Sequence, residues 1–111
     1  MLVTCSGILV LDIIAADLPK ISDAGELTFT DRGIEVHMGG HAANVAVDLR
    51  KLGLKKGEVS TVGPVGEDIF GDFLENELAE HGIITRLQRV REVGTSKNIV
   101  LVVRGRSQIS R

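Results

Sequence analysis

Two adjacent glycines, Gly39-Gly40, stand directly before an alanine-rich amphipathic stretch, and two more glycines, Gly53 and Gly63, follow it. Paired glycines let the backbone approach another group closely and adopt positive φ. At the start of a helix they also leave N–H groups free. The spacing predicts a helix over 41–52, with Ala42, Val45, Ala46, Leu49 and Leu52 on one face. Arg50 and Lys51 suit its C-terminal end, and Gly53 its left-handed cap.

The flanking segments read as strands. Val3 to Leu11 is almost continuously apolar, as expected of a strand buried on both faces of a parallel sheet, and Asp12 ends it. Residues 13–26 contain Pro19, Ser22, Asp23 and Gly25 and predict a loop. Leu27 to Thr30 and Ile34 to Met38 predict two short strands joined by a hairpin at Asp31-Arg32-Gly33. Val59 to Val65 predicts a second buried strand. A helix then starts near Glu67-Asp68, carries Ile69, Phe70, Phe73, Leu74 and Leu78 as its stripe, and stops at His81-Gly82. Ile83 to Val90 and Lys97 to Arg104 predict further strands, the last breaking off into 105–111 without a partner.

Strands alternating with helices predict the α/β class: an incomplete doubly wound parallel sheet with helices, plus small strands outside it. Three parallel strands make a thin layer that needs neighbours. The expectation is that half a sheet is missing from these 111 residues.

Composition bounds the function. The chain has 111 residues, a net charge of −2 and one cysteine. Cys5 lies in an apolar segment and has no partner to bridge, so a cytoplasmic location is expected. No apolar run is long enough for a membrane span, and no signal peptide opens the chain. Charge is uneven: residues 1–85 hold fourteen acids and six bases, whereas 86–111 hold seven bases and Glu92 alone. Trp and Tyr are absent and Phe does not occur in the basic arm, so no stacking platform for nucleic acid exists. A charged, solvated strand edge accounts for the arm.

The residues that could carry chemistry cluster near the first helix. Gly39 and Gly40 offer backbone N–H groups, and Asn44, one turn further on, offers a donor and an acceptor suited to a sugar hydroxyl. Asp12 sits where open α/β sheets bind ligands. A glycine turn and a strand-end acid with no ligand remain alternatives. His41 stands where the helix dipole disfavours a cation. His37 and His81 lack metal-ligand spacing, and no nucleophile elbow, zinc helix or phosphate-loop motif is present. Gly63, Gly66 and Gly71 do not have dinucleotide spacing, and Glu67 and Asp68 would repel phosphate.

Taken together, these residues resemble the ribokinase-like, or phosphofructokinase-B, carbohydrate kinases. Gly39, Gly40, His41, Ala42, Ala43, Asn44, Val45, Ala46, Gly53 and Gly63 match every fixed position of that family's first signature. Gly7 with Asp12, the run Val62-Gly63-Pro64-Val65-Gly66-Glu67-Asp68 with Gly71, His81-Gly82-Ile83 and Gly94-Thr95 fall where similar residues fall in the family. The resemblance implies that residues 1–111 are the N-terminal part of a kinase domain, with lid strands at about 27–38 and 97–104. It implies that Asp12, Gly39, Gly40, His41 and Asn44 bind a sugar or nucleoside, whose hydroxyl receives the ATP γ-phosphoryl group.

The family's base, an aspartate in a Gly-Ala-Gly-Asp segment, and its ATP-binding loops belong to a later part of the domain. This chain is therefore expected to contain no catalytic residue, no metal site and no tight site for ATP or Mg2+, and to be inactive alone. Ribokinase itself has Asn and Lys where this chain has Val10 and His41. Each missing hydrogen bond costs about 1 kcal/mol, so another sugar, a sugar acid or a nucleoside is as well suited as ribose. The alternative is a short non-catalytic protein that binds a ligand or dimerises through its lid or an exposed sheet edge.

Overall fold

The computed structural model describes residues 1–105 and the backbone of the strand Ile109–Ser110. The chain divides into two compact units, one of Met1–Leu11 with Met38–Ser96, the other of Asp12–His37 with Lys97–Arg111.

The first unit is built on a parallel three-stranded sheet. Strands β1 (Val3–Ser6), β4 (Val59–Gly66) and β5 (Ile84–Val90) lie in the order β1-β4-β5. Val3 pairs with Val59, and Ser60 with Ile84. Helix α1 (His41–Lys51) packs on β1 and β4, and α2 (Ile69–Glu80) on β4 and β5. The core consists of Cys5, Leu9, Leu11, Ala42, Ala43, Ala46, Val59, Val65, Leu74, Leu78 and Ile83. The parallel α/β layer expected from the alternating pattern is thus present. Burial pushes the Cys5 thiol above its ordinary pKa. Since folding raises this pKa, the folded state loses stability to Cys5 only as pH rises past the unfolded thiol's range.

The second unit holds most of a four-stranded sheet in the order β3-β2-β6-β7, with β2 at Val10–Leu18, β3 at Ile34–Gly39, β6 at Lys97–Val103 and β7 at Ile109–Ser110. The chain passes between units within β2 and β3. Arg104 bonds Asp17 at 3.1 Å and Asp31 at 2.6 Å, and its backbone N–H donates to Leu18 at 2.6 Å. These carboxylates hold the guanidinium pKa above its usual value, the Asp17 hydrogen bond contributing most.

Several expectations are corrected. The apolar run Val3–Leu11 is not one strand. It breaks at Gly7–Leu9 and resumes as β2, which joins the other sheet. β1 buries Cys5 but exposes Thr4 and Ser6, so it is not buried on both faces, while β2 is half-buried along most of its length; the run's composition does not reveal the change of sheet. In consequence Asp12 is the third residue of β2 rather than the end of the first strand, and Ile13–Leu18 are strand rather than loop.

Leu27–Thr30 forms no strand. The Thr30 hydroxyl donates to Ala16 O at 2.5 Å and accepts from Arg32 N at 3.2 Å, and such side-chain bonds compete with a ladder. The final strand does have a partner, since β7 pairs antiparallel with β6 through Leu101↔Ser110 and Val102↔Ile109. Arg106 and Arg111 of the basic arm lie outside the described residues.

Lastly, the α1 stripe is rotated. Ala43 is buried, while Val45 and Leu52 are 47% and 81% exposed. Small alanines bring the helix against the sheet, and the larger side chains flank that contact. In α2, Ile69 is likewise exposed.

Candidate functional site at the start of the first helix

Gly40 caps α1 with φ 95° and ψ 149°. A Cβ placed there would lie 2.2 Å from Ile8 O and 3.1 Å from Leu9 Cα. Glycine is required twice over, for the positive φ and for the contact with the β1–β2 connection. With a glycine cap and no acid in the first turn, no side chain caps the helix start. The first helical bond runs from Asn44 N to Gly40 O at 2.9 Å.

Ala42 and Ala43 are buried, whereas His41 and Asn44 are exposed. Three positions apart, these two share one face of the first turn. Gly39 is buried at the end of β3. The first unit therefore presents, as one contiguous element, a helix start with its N–H groups uncapped by any side chain, an imidazole and an amide. Such a set can donate to and accept from a polar ligand.

Asp12 belongs to the second unit and is half-buried in β2. Its Oδ1 accepts from Asn98 Nδ2 on β6 at 3.2 Å. Asn98 carried no signal in the sequence, because 86 positions separate it from Asp12.

The second glycine cluster is occupied by protein. Asp68 caps α2, accepting from Gly71 N at 2.8 Å. It also accepts from Thr95 N at 2.9 Å and Thr95 Oγ1 at 2.6 Å. Gly66 N donates to Thr95 Oγ1 at 2.9 Å. A Cβ on Gly66 would sit 2.6 Å from Thr95 N, one on Gly71 2.3 Å from Gly66 O, and one on Gly63 2.4 Å from Gly7 O. Gly66 and Gly71 permit close packing around the Asp68 carboxylate and Thr95, whereas Gly63 permits close approach to Gly7 and Leu9. Arg89 braces the same region through Asp72 at 2.9 Å, Glu75 at 2.5 Å and Gly66 O at 3.2 Å. The spacing Asp68-x-x-Gly71 signals the cap, but nothing local points to Thr95. Among the described residues, no cluster of three or more His, Cys, Asp or Glu could hold a metal ion. No helix of the described residues is long and apolar enough to cross a membrane.

Residues 2–110 match the pfkB family carbohydrate kinases. The chain belongs to this family. A protein of Pyrococcus horikoshii assigned as a sugar kinase is 36% identical over 80 residues, which is 72% of this chain and 23% of that protein. A 5-dehydro-2-deoxygluconokinase of Clostridium perfringens is 37% identical over 67 residues, covering 60% of this chain and 18% of the relative.

Among solved structures, a fructokinase of Xylella fastidiosa with bound ATP is 33% identical with a TM-score of 0.72, covering 97% of this chain and 31% of that one. A ribokinase of Thermotoga maritima is 25% identical with a TM-score of 0.76, over 98% of this chain and 35% of that one. The fold is that of the ribokinase-like kinases. The chain spans less than a quarter of these curated relatives and about a third of these solved chains.

Proposed function

We propose that this chain is the N-terminal, acceptor-binding portion of an ATP-dependent carbohydrate kinase, which transfers the ATP γ-phosphoryl group to a hydroxyl of a sugar or nucleoside. The observation that carries this reading is the family match over residues 2–110, joined to a helix start whose glycine cap is packed against the Ile8 carbonyl. In this reading Asp12, Gly39, Gly40, His41 and Asn44 bind the acceptor. Asp12 accepts hydroxyl hydrogen bonds, Gly39 and Gly40 supply backbone N–H groups at the helix start, and His41 and Asn44 supply polar side chains. Residues 27–38 and 97–104 serve as the lid.

ATP and Mg2+ are the cofactors of the whole enzyme in this reading; the ATP-bound fructokinase supports the ATP part of it. The sequence contains no Gly-Ala-Gly-Asp segment. Phosphoryl transfer depends on positioning and on stabilising the charge of the transferring group. The 111-residue chain therefore binds an acceptor without phosphorylating it. The same reading assigns it to the cytoplasm, where ATP is supplied and a lone thiol stays reduced.

Incubation with ATP, Mg2+ and a panel of sugars and nucleosides is expected to give product no faster than a buffer blank. At least one panel member should raise the melting temperature, since a ligand that binds only the folded chain stabilises it by mass action. Turnover above the blank overturns the inactivity, and the lack of any thermal shift at millimolar ligand overturns acceptor binding.

One observation favours a second reading, a non-catalytic protein that self-associates. Ile34 and Val36, two apart on β3, and Ile99 on β6 are 66%, 44% and 64% exposed within the second unit. Apolar side chains left on an open sheet suit a second copy of the chain. Sedimentation is expected to show a dimer that Ile34→Glu dissociates. A wild-type monomer at every concentration tested removes this reading.

A further inference from the structure

We infer that Asn98 is a positioning residue for Asp12 and helps set which acceptors the chain takes, resting on the acceptor role proposed above for Asp12. The two residues stand on β2 and β6, which are neighbours in the four-stranded sheet, and both belong to the second unit. The Asn98 amide donates to Oδ1 of Asp12 at 3.2 Å. A carboxylate oxygen has two acceptor positions. One bond to Oδ1 restrains rotation of the carboxylate and leaves Oδ2, with the rest of Oδ1, for ligand hydroxyls. The Asn98 carbonyl oxygen is a further acceptor on the adjacent strand.

The choice of an amide is informative because the same unit treats other acids differently. Asp17 and Asp31 are both ion-paired with the Arg104 guanidinium. Asp12 is met instead by a neutral amide donor, with no cation paired to it among the described ion pairs. A carboxylate beside a neutral amide is a hydroxyl-accepting surface. It suits a neutral polyol edge with two neighbouring hydroxyls and repels a phosphate or carboxylate placed at that edge. An acidic group on the acceptor must then point away from Asp12.

The test uses the 111-residue chain. In an isotope-labelled sample, the Asn98 side-chain amide resonances should shift in Asp12→Asn and stay in place in Asp48→Asn, a control on the exposed side of α1. Titration with D-fructose, D-ribose and fructose 6-phosphate should then rank the variants. Asn98→Ala and the near-isosteric Asn98→Asp should weaken the best neutral sugar about tenfold. Asn98→Gln, which keeps a donor, should stay within about threefold. All three should retain the wild-type melting temperature to within a few degrees.

Unchanged amide resonances in Asp12→Asn, or equal affinity of Asn98→Ala and wild type, overturn the positioning role while leaving acceptor binding intact. A loss in Asn98→Gln as large as that in Asn98→Ala assigns the effect to side-chain packing and overturns the inference too. If sugars bind but Asp12→Ala binds them equally well, or if no sugar binds the wild-type chain, the acceptor role of Asp12 falls and the inference falls with it.

Discussion

Gly40→Ala is expected to destabilise the chain by about 3–5 kcal/mol. Two causes add. Alanine at φ 95° bears the strain of a conformation that L side chains rarely adopt, about 1–2 kcal/mol. The new Cβ would then meet Ile8 O at 2.2 Å and the Ile8 carbonyl carbon at 3.0 Å. Neither is the free end of a side chain, so relief requires the β1–β2 connection to move. Leu9 beside it is 1% exposed, and movement there disturbs the core.

Gly53→Ala separates the two causes. Its φ is 121°, yet a Cβ there meets nothing within 4 Å, so only the backbone strain remains, about 1–2 kcal/mol. Urea unfolding of both variants decides the matter. Equal losses would show that the carbonyl contact carries no weight.

Asp68→Ala is expected to cost about 3 kcal/mol, more than the usual 0.5–2 kcal/mol of a lost helix cap. One carboxylate satisfies the first turn of α2 through Gly71 N and also anchors both the backbone and the hydroxyl of Thr95. Thr95 is 3% exposed, so its groups would lose a partner where water has little access. Thr95→Val removes the hydroxyl at nearly constant volume and leaves Gly66 N without that acceptor, a loss of about 2 kcal/mol.

Since Asp68 and Thr95 act through the same bonds, the double variant should lose about 1–2 kcal/mol less than the sum of the singles. Additivity to within about 0.5 kcal/mol would mean that the two residues stabilise the unit independently.

The parts of the fold that were legible are those whose signals repeat over a few residues. The strands β4 and β5 and both helices appear close to their expected bounds because apolar period, caps and glycine stops are local. Asn44, His41 and the paired glycines were legible as a helix start for the same reason. Asp12 was recognised as an acid beside an apolar strand but placed at the wrong point, because the chain changes sheet at Gly7–Leu9 with no break in its apolar character. Leu27–Thr30 has the alternation of a strand, yet Thr30 bonds Ala16 O instead of extending a ladder. On α1 the expected stripe was right at Ala42 and Ala46, but it missed Ala43 and set Val45 and Leu52 inward, because the small alanines rather than the larger side chains meet the sheet.

By itself, then, the sequence determined the α/β class, the two helices, the parallel strands and the family to which the chain belongs. Tertiary structure alone decided which sheet each strand joins, why Gly40 admits no side chain, and that Asp68 meets Thr95 and Asp12 meets Asn98. The reason is physical. Periods and caps arise from interactions across three or four residues, whereas a clash with a carbonyl or a bond to a distant amide exists only once 27 to 86 positions of chain have been folded back.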